Sequence, residues 1–401
     1  MHLSGRIAKL KAYKIIIGFP LLGLNAGLPP SVLQLQVDAA GCDWLEAAGG
    51  LTKTQGPHLR IPGQALPPGF NSAKLRPASQ PLTASGRWNN LARRAAAWPA
   101  SRGNSSVIRL LRGLSDIAGD YPLILCDVWG VLHNGIRAFD GAKDALARYR
   151  KAGGCVVLLT NSPNPGWFVT AQLGRLGVTR NAYDAIVSSG DVTVSLLIKR
   201  AGACLFQIGP PGETALFDEV RALTGKAPRV VPLKEAQYVL CTGLSDPFRE
   251  VLADYDATLA AMRARDLELI CANPDILVED GGEVFYCAGA VAERYAAAGG
   301  KVIMAGKPFA PIYVRALELA REFCGGGNKS SHPVLVIGDT MATDIKGAHL
   351  QGYDSLFVTA GIHRGELHRK SKSAALDEAA LMELVQTTEF APTAAIAELV
   401  W

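Results

Sequence analysis

One aspartate, Asp127, stands where an apolar run ends and could act as a nucleophile. The run Leu123-Ile124-Leu125-Cys126 is typical of a buried strand, so Asp127 would project from the carboxyl end of that strand. A carboxylate in this position can attack phosphorus and form an aspartyl-phosphate. The alternative is a structural aspartate that caps a turn over residues 127–130. Two residues further on stands Trp129, whose indole N–H donates a hydrogen bond but cannot accept one.

Two further polar groups follow apolar runs and would suit a phosphate site. Thr160-Asn161-Ser162 follows residues 156–159, and a threonine hydroxyl with the next backbone N–H groups can hold phosphate oxygens. The alternative is a turn and helix cap, because Ser162 precedes a proline. Lys307 follows residues 302–305, where an ammonium would neutralise phosphoryl oxygens, although a solvated loop lysine is the ordinary alternative.

Two aspartates bracket a turn after a third apolar run. Asp339 follows residues 334–338 directly, and Asp344 stands five residues further on. Carboxylate oxygens in this arrangement suit Mg²⁺, which uses few protein carboxylates and keeps several waters. The alternative is a strand-end aspartate followed by an N-cap aspartate for the next helix.

Strands and helices alternate from about residue 107 onward, and they must position these groups. Continuous apolar strands that alternate with amphipathic helices predict a doubly wound α/β fold with a parallel sheet. Ligands of such sheets bind at the carboxyl ends of the strands, where the polar groups lie. Before the first strand, the spacing of Val107, Leu110, Leu111, Leu114 and Ile117 predicts a helix. The predicted strands are 123–128, 155–160, 185–188, 204–208, 238–242, 267–271, 302–305, 334–337 and 355–358.

The order and context of these motifs resemble one known family. Asp127-Val128-Trp129-Gly130, the Thr160 motif, Gly306-Lys307-Pro308 and the Asp339 motif each follow an apolar strand. Together they look like the haloacid dehalogenase (HAD) superfamily of hydrolases, and within it the NagD-like class IIA branch. The resemblance covers about residues 107–401, roughly three quarters of the chain. Asn273-Pro274-Asp275 also looks like that branch.

Motif spacing and the resemblance together predict one domain inserted in another. Thr160 follows Asp127 by 33 residues, enough for a helix and a strand, whereas Lys307 follows Thr160 by 147 residues. We therefore expect a Rossmann-like HAD core over residues 106–201 and 301–401, with an inserted α/β cap of the C2 type over residues 202–300. In the resembled family such a cap covers the site and selects the substrate.

The resemblance implies a role for each motif residue. Asp127 would be the nucleophile, Thr160 would hold the phosphoryl group, and Lys307 would balance charge. Asn161 and Ser162 would lie beside the phosphate. The cofactor would be Mg²⁺, held by Asp127, the backbone carbonyl of Trp129, Asp339 and Asp344, with Asp344 at or just outside the metal shell.

Trp129 departs from the family pattern. Phosphatases of the resembled family carry a second aspartate there, which protonates the leaving group and activates water. Three interpretations follow. The protein is a Mg²⁺-dependent phosphatase of small phosphorylated metabolites (sugar phosphates or nucleotides) that uses good leaving groups or another acid, with His133 the nearest candidate. Alternatively, it binds phosphorylated ligands without turning them over, or it resembles the family's dehalogenases, which carry a tyrosine there. Asp339 and Asp344 favour a metal and a phosphate, hence the phosphatase.

Composition divides the chain of 401 residues. The net charge is +5, but residues 1–105 hold twelve Lys and Arg against three acids, which leaves −4 for the remainder. The same segment holds 10 of the 23 prolines and predicts a disordered or non-domain N-terminal extension. We expect no nucleic-acid partner for the main body. We also expect no membrane association, since no apolar run reaches the roughly 18 residues of a membrane span.

Cysteine usage predicts a cytoplasmic protein. No CxxC pair occurs among the eight cysteines. Buried, reduced thiols are expected at the cysteines that lie in or beside apolar runs, namely Cys126, Cys155, Cys204, Cys241 and Cys271. A homodimer is expected only by analogy with cap-mediated dimers in the resembled family.

Overall fold

The computed structural model describes residues 108–280, 283–324, 333–368 and 376–401. The predicted N-terminal extension, residues 1–105, lies outside these ranges. Among the described residues, no helix combines the length and the apolar character that a membrane crossing requires. The strands are β1 Arg109–Leu110, β2 Leu123–Cys126, β3 Cys155–Thr160, β4 Ala185–Ser188, β5 Cys204–Ile208, β6 Arg229–Val230, β7 Tyr238–Cys241, β8 Glu268–Cys271, β9 Leu277–Asp280, β10 Glu283–Tyr286, β11 Lys301–Met304, β12 Val334–Gly338, β13 Asp354–Val358 and β14 Ala394–Ile396. The α-helices are α1 Asp140–Lys151, α2 Gly166–Arg175, α3 Ser189–Ile198, α4 Ala215–Thr224, α5 Asp256–Ala264, α6 Ala288–Ala297, α7 Ala310–Cys324, α8 Lys346–Gln351, α9 Arg364–Leu367 and α10 Glu378–Gln386.

The core is a seven-stranded sheet in the order β1-β14-β13-β12-β2-β3-β4, and each pair of neighbours is parallel. The motif strands β12, β2 and β3 are adjacent at its centre. Their register keeps them level, because Cys126 pairs with both Ile337 and Leu158. The residues that follow these strands therefore emerge at one edge of the sheet. This is the α/β, Rossmann-like parallel-sheet fold that the alternation of strands and helices predicts.

Helices cover both faces of the core sheet, and β2 shows the consequence for sequence. Ile124 lies in one hydrophobic cluster with Leu146 of α1, whereas Leu125 lies in the opposite cluster with Ile312 of α7. Burial of such a side chain contributes about 1.5–3 kcal/mol. A strand that is buried on both faces must be apolar at every position, so β2 has no alternating pattern.

A second parallel sheet forms the cap, in the order β11-β8-β7-β5-β6. The predicted boundary at residue 301 places β11 in the core. The structure instead pairs Lys301–Met304 with Glu268–Cys271 of the cap sheet, so that assignment is wrong for this strand. The apolar run identified a strand, but its pairing partner is not encoded locally. The other domain limits stay predictions.

The cap also carries an antiparallel hairpin, β9–β10, that the sequence analysis did not identify. Leu277 pairs with Tyr286 at its base, and Asp280 pairs with Glu283 near its tip. The ring of Phe285 lies 5.1 Å from the ring of Phe248 in the preceding cap segment. The hairpin is therefore attached to the cap through an aromatic pair.

A disulfide joins Cys155, at the start of β3, to Cys324, at the end of α7, with a Cα–Cα distance of 6.0 Å. The expectation of a reduced thiol at Cys155 is therefore wrong in this structure. The packing of α7 against β3 brings together two cysteines that are 169 residues apart in the chain. Cys126, Cys241 and Cys271 are buried free thiols, as expected, whereas Cys204 is a free thiol that is only half-buried. The cytoplasmic location stays a prediction.

Candidate active site

Asp127 and Asp339 follow the adjacent parallel strands β2 and β12 at the carboxyl edge of the core sheet. Asp339 is enclosed by backbone. Gly130 has a φ of +81°, and a Cβ on Gly130 or on Gly361 would overlap the Asp339 carboxylate. The backbone N–H of Ile362 donates to Asp339 Oδ2 at 2.7 Å. Two glycines and one backbone donor thus fix the orientation of this carboxylate.

Lys307 connects the two ends of the acidic cluster. Its Nζ lies 2.5 Å from Asp127 Oδ1 and 2.7 Å from Asp344 Oδ1, and all three side chains are buried. Burial alone would lower the pKa of the Lys307 ammonium, but Asp127 and Asp344 hold that pKa well above its ordinary value. The lysine therefore stays charged and neutralises part of the carboxylate charge around it.

The acidic cluster fits a divalent cation. Asp127, Asp339 and Asp344 each offer an oxygen, and these oxygens lie within 4.8 Å of one another. Burial raises the pKa of Asp127 well above its ordinary value. Burial, followed by repulsion from Asp344, raises the pKa of Asp339 to about 7. Three ionised carboxylates beside one ammonium carry a net charge of about −2, which a divalent cation would balance. Hard oxygen ligands favour an ion such as Mg²⁺.

The side-chain amide of Asn161 joins the core to two segments of the cap side of the chain. Its Oδ1 accepts from the Lys307 backbone N–H at 2.7 Å, and its Nδ2 donates to the Lys307 carbonyl at 3.2 Å. Nδ2 also donates to Asp275 Oδ1 at 2.9 Å. Asp275 follows cap strand β8 and Lys307 follows cap strand β11, so the amide holds the segments that come after both of these strands. The contacts of Asn161 position Lys307; its predicted place beside a phosphate stays a prediction.

Thr160 and Ser162 form the turn that follows β3. The backbone N–H of Ser162 donates to Thr160 Oγ1 at 3.2 Å, and that of Asn164 donates to Ser162 Oγ at 3.3 Å. Thr160 is buried and lies on the strand next to the one that carries Asp127. The structure therefore brings Thr160 to the same edge as the acidic cluster, while its contact with a phosphoryl group stays a prediction.

The indole of Trp129 extends from the first motif to the cap. Its Nε1 donates to the backbone carbonyl of Glu279, on strand β9 of the cap hairpin, at 3.0 Å. The ring packs in a T-shaped arrangement against that of His133, with a centroid distance of 4.8 Å and an interplanar angle of 73°. Burial lowers the pKa of His133 to about 4, so the ring is neutral at pH 7. Its Nδ1 accepts from the Gly135 N–H at 3.0 Å, so His133 belongs to the loop that supports Trp129.

Comparisons with known proteins agree with this arrangement. A model of the haloacid dehalogenase-like hydrolases matches residues 124–222, and a second HAD-hydrolase-like model matches residues 304–381. A crystal structure of a haloacid dehalogenase-like hydrolase from Brucella suis is 40% identical, with a TM-score of 0.62. The match covers 73% of this chain and 100% of that one. The chain belongs to the haloacid dehalogenase-like hydrolase family. It is therefore a hydrolase, and the cap inserted between its Thr160 and Lys307 motifs is the arrangement expected of the NagD-like class IIA branch.

Two further proteins are similar to this HAD chain in sequence. Sugar-phosphatase AraL of Bacillus subtilis is 27% identical over 242 residues, which are 59% of this chain and 83% of that protein. Human chronophin is 26% identical over 286 residues, which are 64% of this chain and 88% of that protein. Both similarities extend over most of the relative's own length.

Several residues of this HAD site were not predicted from the sequence. Gly130, Gly361 and the Ile362 backbone surround Asp339, and Asp275 holds Asn161. For Asp275 the sequence contains one signal, because Asn273-Pro274-Asp275 resembles the class IIA branch. The glycines gave no such signal, since a close approach of backbone to a carboxylate depends on loops that are distant in sequence.

Proposed function

We propose that this HAD protein is a Mg²⁺-dependent phosphatase that hydrolyses small phosphorylated metabolites, of the sugar phosphate or nucleotide class, through an aspartyl-phosphate on Asp127. One observation carries the proposal: Lys307 bridges Asp127 and Asp344 in a buried cluster that also holds Asp339. This cluster combines a nucleophile, a charge-balancing cation and oxygen ligands for a metal. The similarity to a sugar-phosphatase and to chronophin supports phosphate esters as the substrates.

In the first step, a carboxylate oxygen of Asp127 attacks phosphorus, the ester P–O bond breaks, and its electron pair leaves on the alcohol oxygen. Lys307 offsets the charge of Asp127 and of the phosphoryl oxygens. Thr160 Oγ1 accepts from the Ser162 N–H, which leaves its own O–H free to donate to a phosphoryl oxygen in this proposal. Bound Mg²⁺, held by Asp127, the Trp129 carbonyl, Asp339 and Asp344, would supply further positive charge to the phosphoryl group.

In the second step, water attacks the phosphorus of the aspartyl-phosphate. The bond between phosphorus and Asp127 breaks, inorganic phosphate leaves, and the carboxylate is restored.

The proton for the alcohol that leaves in the first step must come from solvent, because the indole of Trp129 cannot supply it. General acid–base assistance is worth about 10²–10⁴-fold in rate, so we expect esters of acidic alcohols to react far better than esters of ordinary alcohols.

Trp129 also favours a second candidate, a protein that binds phosphorylated ligands without hydrolysing them. One assay separates the two: phosphate release from p-nitrophenyl phosphate by the full chain, with Mg²⁺ and with EDTA. The phosphatase proposal expects release that requires metal and is lost in Asp127→Asn, a nearly isosteric change. A folded protein that releases no more phosphate than Asp127→Asn would favour the binding protein instead.

A further inference from the structure

The cap hairpin and the first motif are joined by the side chain of Trp129. The indole Nε1 donates to the main-chain carbonyl of Glu279, at 3.0 Å. Trp129 stands 150 residues before Glu279 in the chain and two residues after Asp127. A contact between these two positions places strand β9 of the hairpin directly beside the loop that carries the nucleophile.

The loop that holds the indole is shaped for this contact. Gly135 has a φ of +86°, and a Cβ there would lie 2.8 Å from the Trp129 ring and would also overlap an Asp280 carboxylate oxygen. Gly135 thus lies against both the core indole and the hairpin. Its N–H donates to His133 Nδ1 at 3.0 Å, and the His133 ring supports the indole from the side. Three residues of one core loop therefore form a socket for the hairpin.

The hairpin is in turn held at its base. Phe285 packs against Phe248 of the cap, and Asp275, two residues before β9, accepts from Asn161 of the core. The base of the hairpin is thus tied to the second motif, whereas its tip region is tied to the first motif through Trp129. A hydrogen bond near the tip can therefore control whether this edge of the cap stays on the core.

We propose that Trp129 is a positioning residue that latches the cap hairpin onto the core beside the acidic cluster. The inference rests on the proposed function for its catalytic consequence. A latched cap excludes water and strengthens the interactions of Lys307 with a phosphoryl group. At the position where the resembled phosphatases carry an aspartate, this chain thus has a residue that holds the cap hairpin against the core.

The test uses the full chain with Trp129→Phe, which keeps an aromatic ring but removes the N–H donor. Hydrogen exchange of the backbone amides in 277–280 and 283–286 is measured beside steady-state kinetics with p-nitrophenyl phosphate. We expect amide exchange in the hairpin to rise about 3–10-fold, the factor that follows from one hydrogen bond. KM should rise by a similar factor, with a smaller change in kcat. Trp167→Phe is the control, because Trp167 is an exposed tryptophan on α2.

A second variant tests the socket without altering the indole. Gly135→Ala places a methyl group against Trp129 and Asp280, whereas Gly177→Ala has a similar positive φ with ample space around it. The latch predicts faster hairpin exchange in Gly135→Ala than in Gly177→Ala. Unchanged exchange in both Trp129→Phe and Gly135→Ala would overturn the latch. Faster exchange in a protein that releases no phosphate would retain the latch and reject the phosphatase.

Discussion

Lys307 Nζ lies 2.5 Å from Asp127 Oδ1, although 180 residues and the whole cap separate the two in the chain. Lys307 reaches this position from β11, a cap strand, and Asn161 holds its backbone on both sides. The charge balance of Asp127 therefore depends on how the chain returns from the cap to the core. The cap strand β11 thus takes part in the construction of the site.

Replacing Lys307 with methionine should abolish turnover and destabilise the fold. Asp127 and Asp344 would lose their common cation in a buried setting, and loss of one partner of a buried ion pair costs about 3–5 kcal/mol. We expect a loss of at least about 10²-fold in kcat/KM, measured beside urea unfolding. Lys301→Met is the matched control, because Lys301 pairs with Asp266 at the surface. Equal changes of kcat/KM and of the free energy of unfolding in the two variants would contradict this role of Lys307.

Mg²⁺ should stabilise the folded protein through the acidic cluster. An ion that binds only the native state raises its stability by mass action, and at 100 times Kd the gain is about 2.7 kcal/mol. Thermal unfolding should therefore shift upward with Mg²⁺ in the unaltered chain. Asp339→Asn should lose the shift, whereas Asp256→Asn, which alters an exposed pair with Arg294, should keep it. A shift that survives in Asp339→Asn would place the ion elsewhere.

Glu213 of the cap should make stability depend on pH. Burial raises the pKa of this carboxyl from 4.5 to about 7, despite a hydrogen bond from Thr242. Because the folded state holds this proton more tightly than the unfolded state, stability should fall as pH rises from about 4.5 to about 7. The full difference is about 3 kcal/mol.

The variant Glu213→Gln removes this titration. In urea unfolding, the free energy of unfolding of Glu213→Gln minus that of the unaltered chain should therefore be larger at pH 8 than at pH 5. Glu235→Gln, at an exposed cap position, is the control. If the difference between Glu213→Gln and the unaltered chain were the same at both pH values, the raised pKa would be wrong.

The disulfide between Cys155 and Cys324 should contribute to global stability. It closes a long loop of the chain, and removal of a disulfide typically costs about 2–4 kcal/mol. Cys324→Ser should lower the free energy of unfolding by about that amount under oxidising conditions. Reductant should remove the difference between the two proteins. Cys204→Ser, at a free and half-buried thiol, should show no such dependence on reductant.

The arrangement of the catalytic motifs was predictable because it depends on local signals. Apolar runs gave the bounds of β3, β4 and β5 as the structure has them. In β3 every residue is buried, so a continuous apolar run marks the strand. Once these strands are parallel neighbours, their carboxyl ends must meet, and Asp127 and Asp339 come together without further information.

The features that were missed depend on pairing between distant segments. The helix predicted over residues 107–117 is, in its described part, strand β1 followed by a short 3₁₀ turn at Leu114–Asp116, because Arg109 and Leu110 pair with Ala394 and Ala395 of β14. Val107 lies outside the described residues. The contact of Trp129 with Glu279 is equally non-local. A single sequence contains no pattern that indicates which distant segments form such pairs.

If Asp127 is the nucleophile, it becomes phosphorylated during turnover, and acid quenching can trap this aspartyl-phosphate. Full-length protein is mixed with p-nitrophenyl phosphate and Mg²⁺, quenched in acid within the first turnovers, digested and analysed by mass spectrometry. We expect a phosphoryl group on the peptide that contains Asp127, and we expect the same peptide of Asp127→Asn to carry none. Metal-dependent turnover with this peptide unmodified, or with the phosphoryl group on another residue, would contradict this role of Asp127.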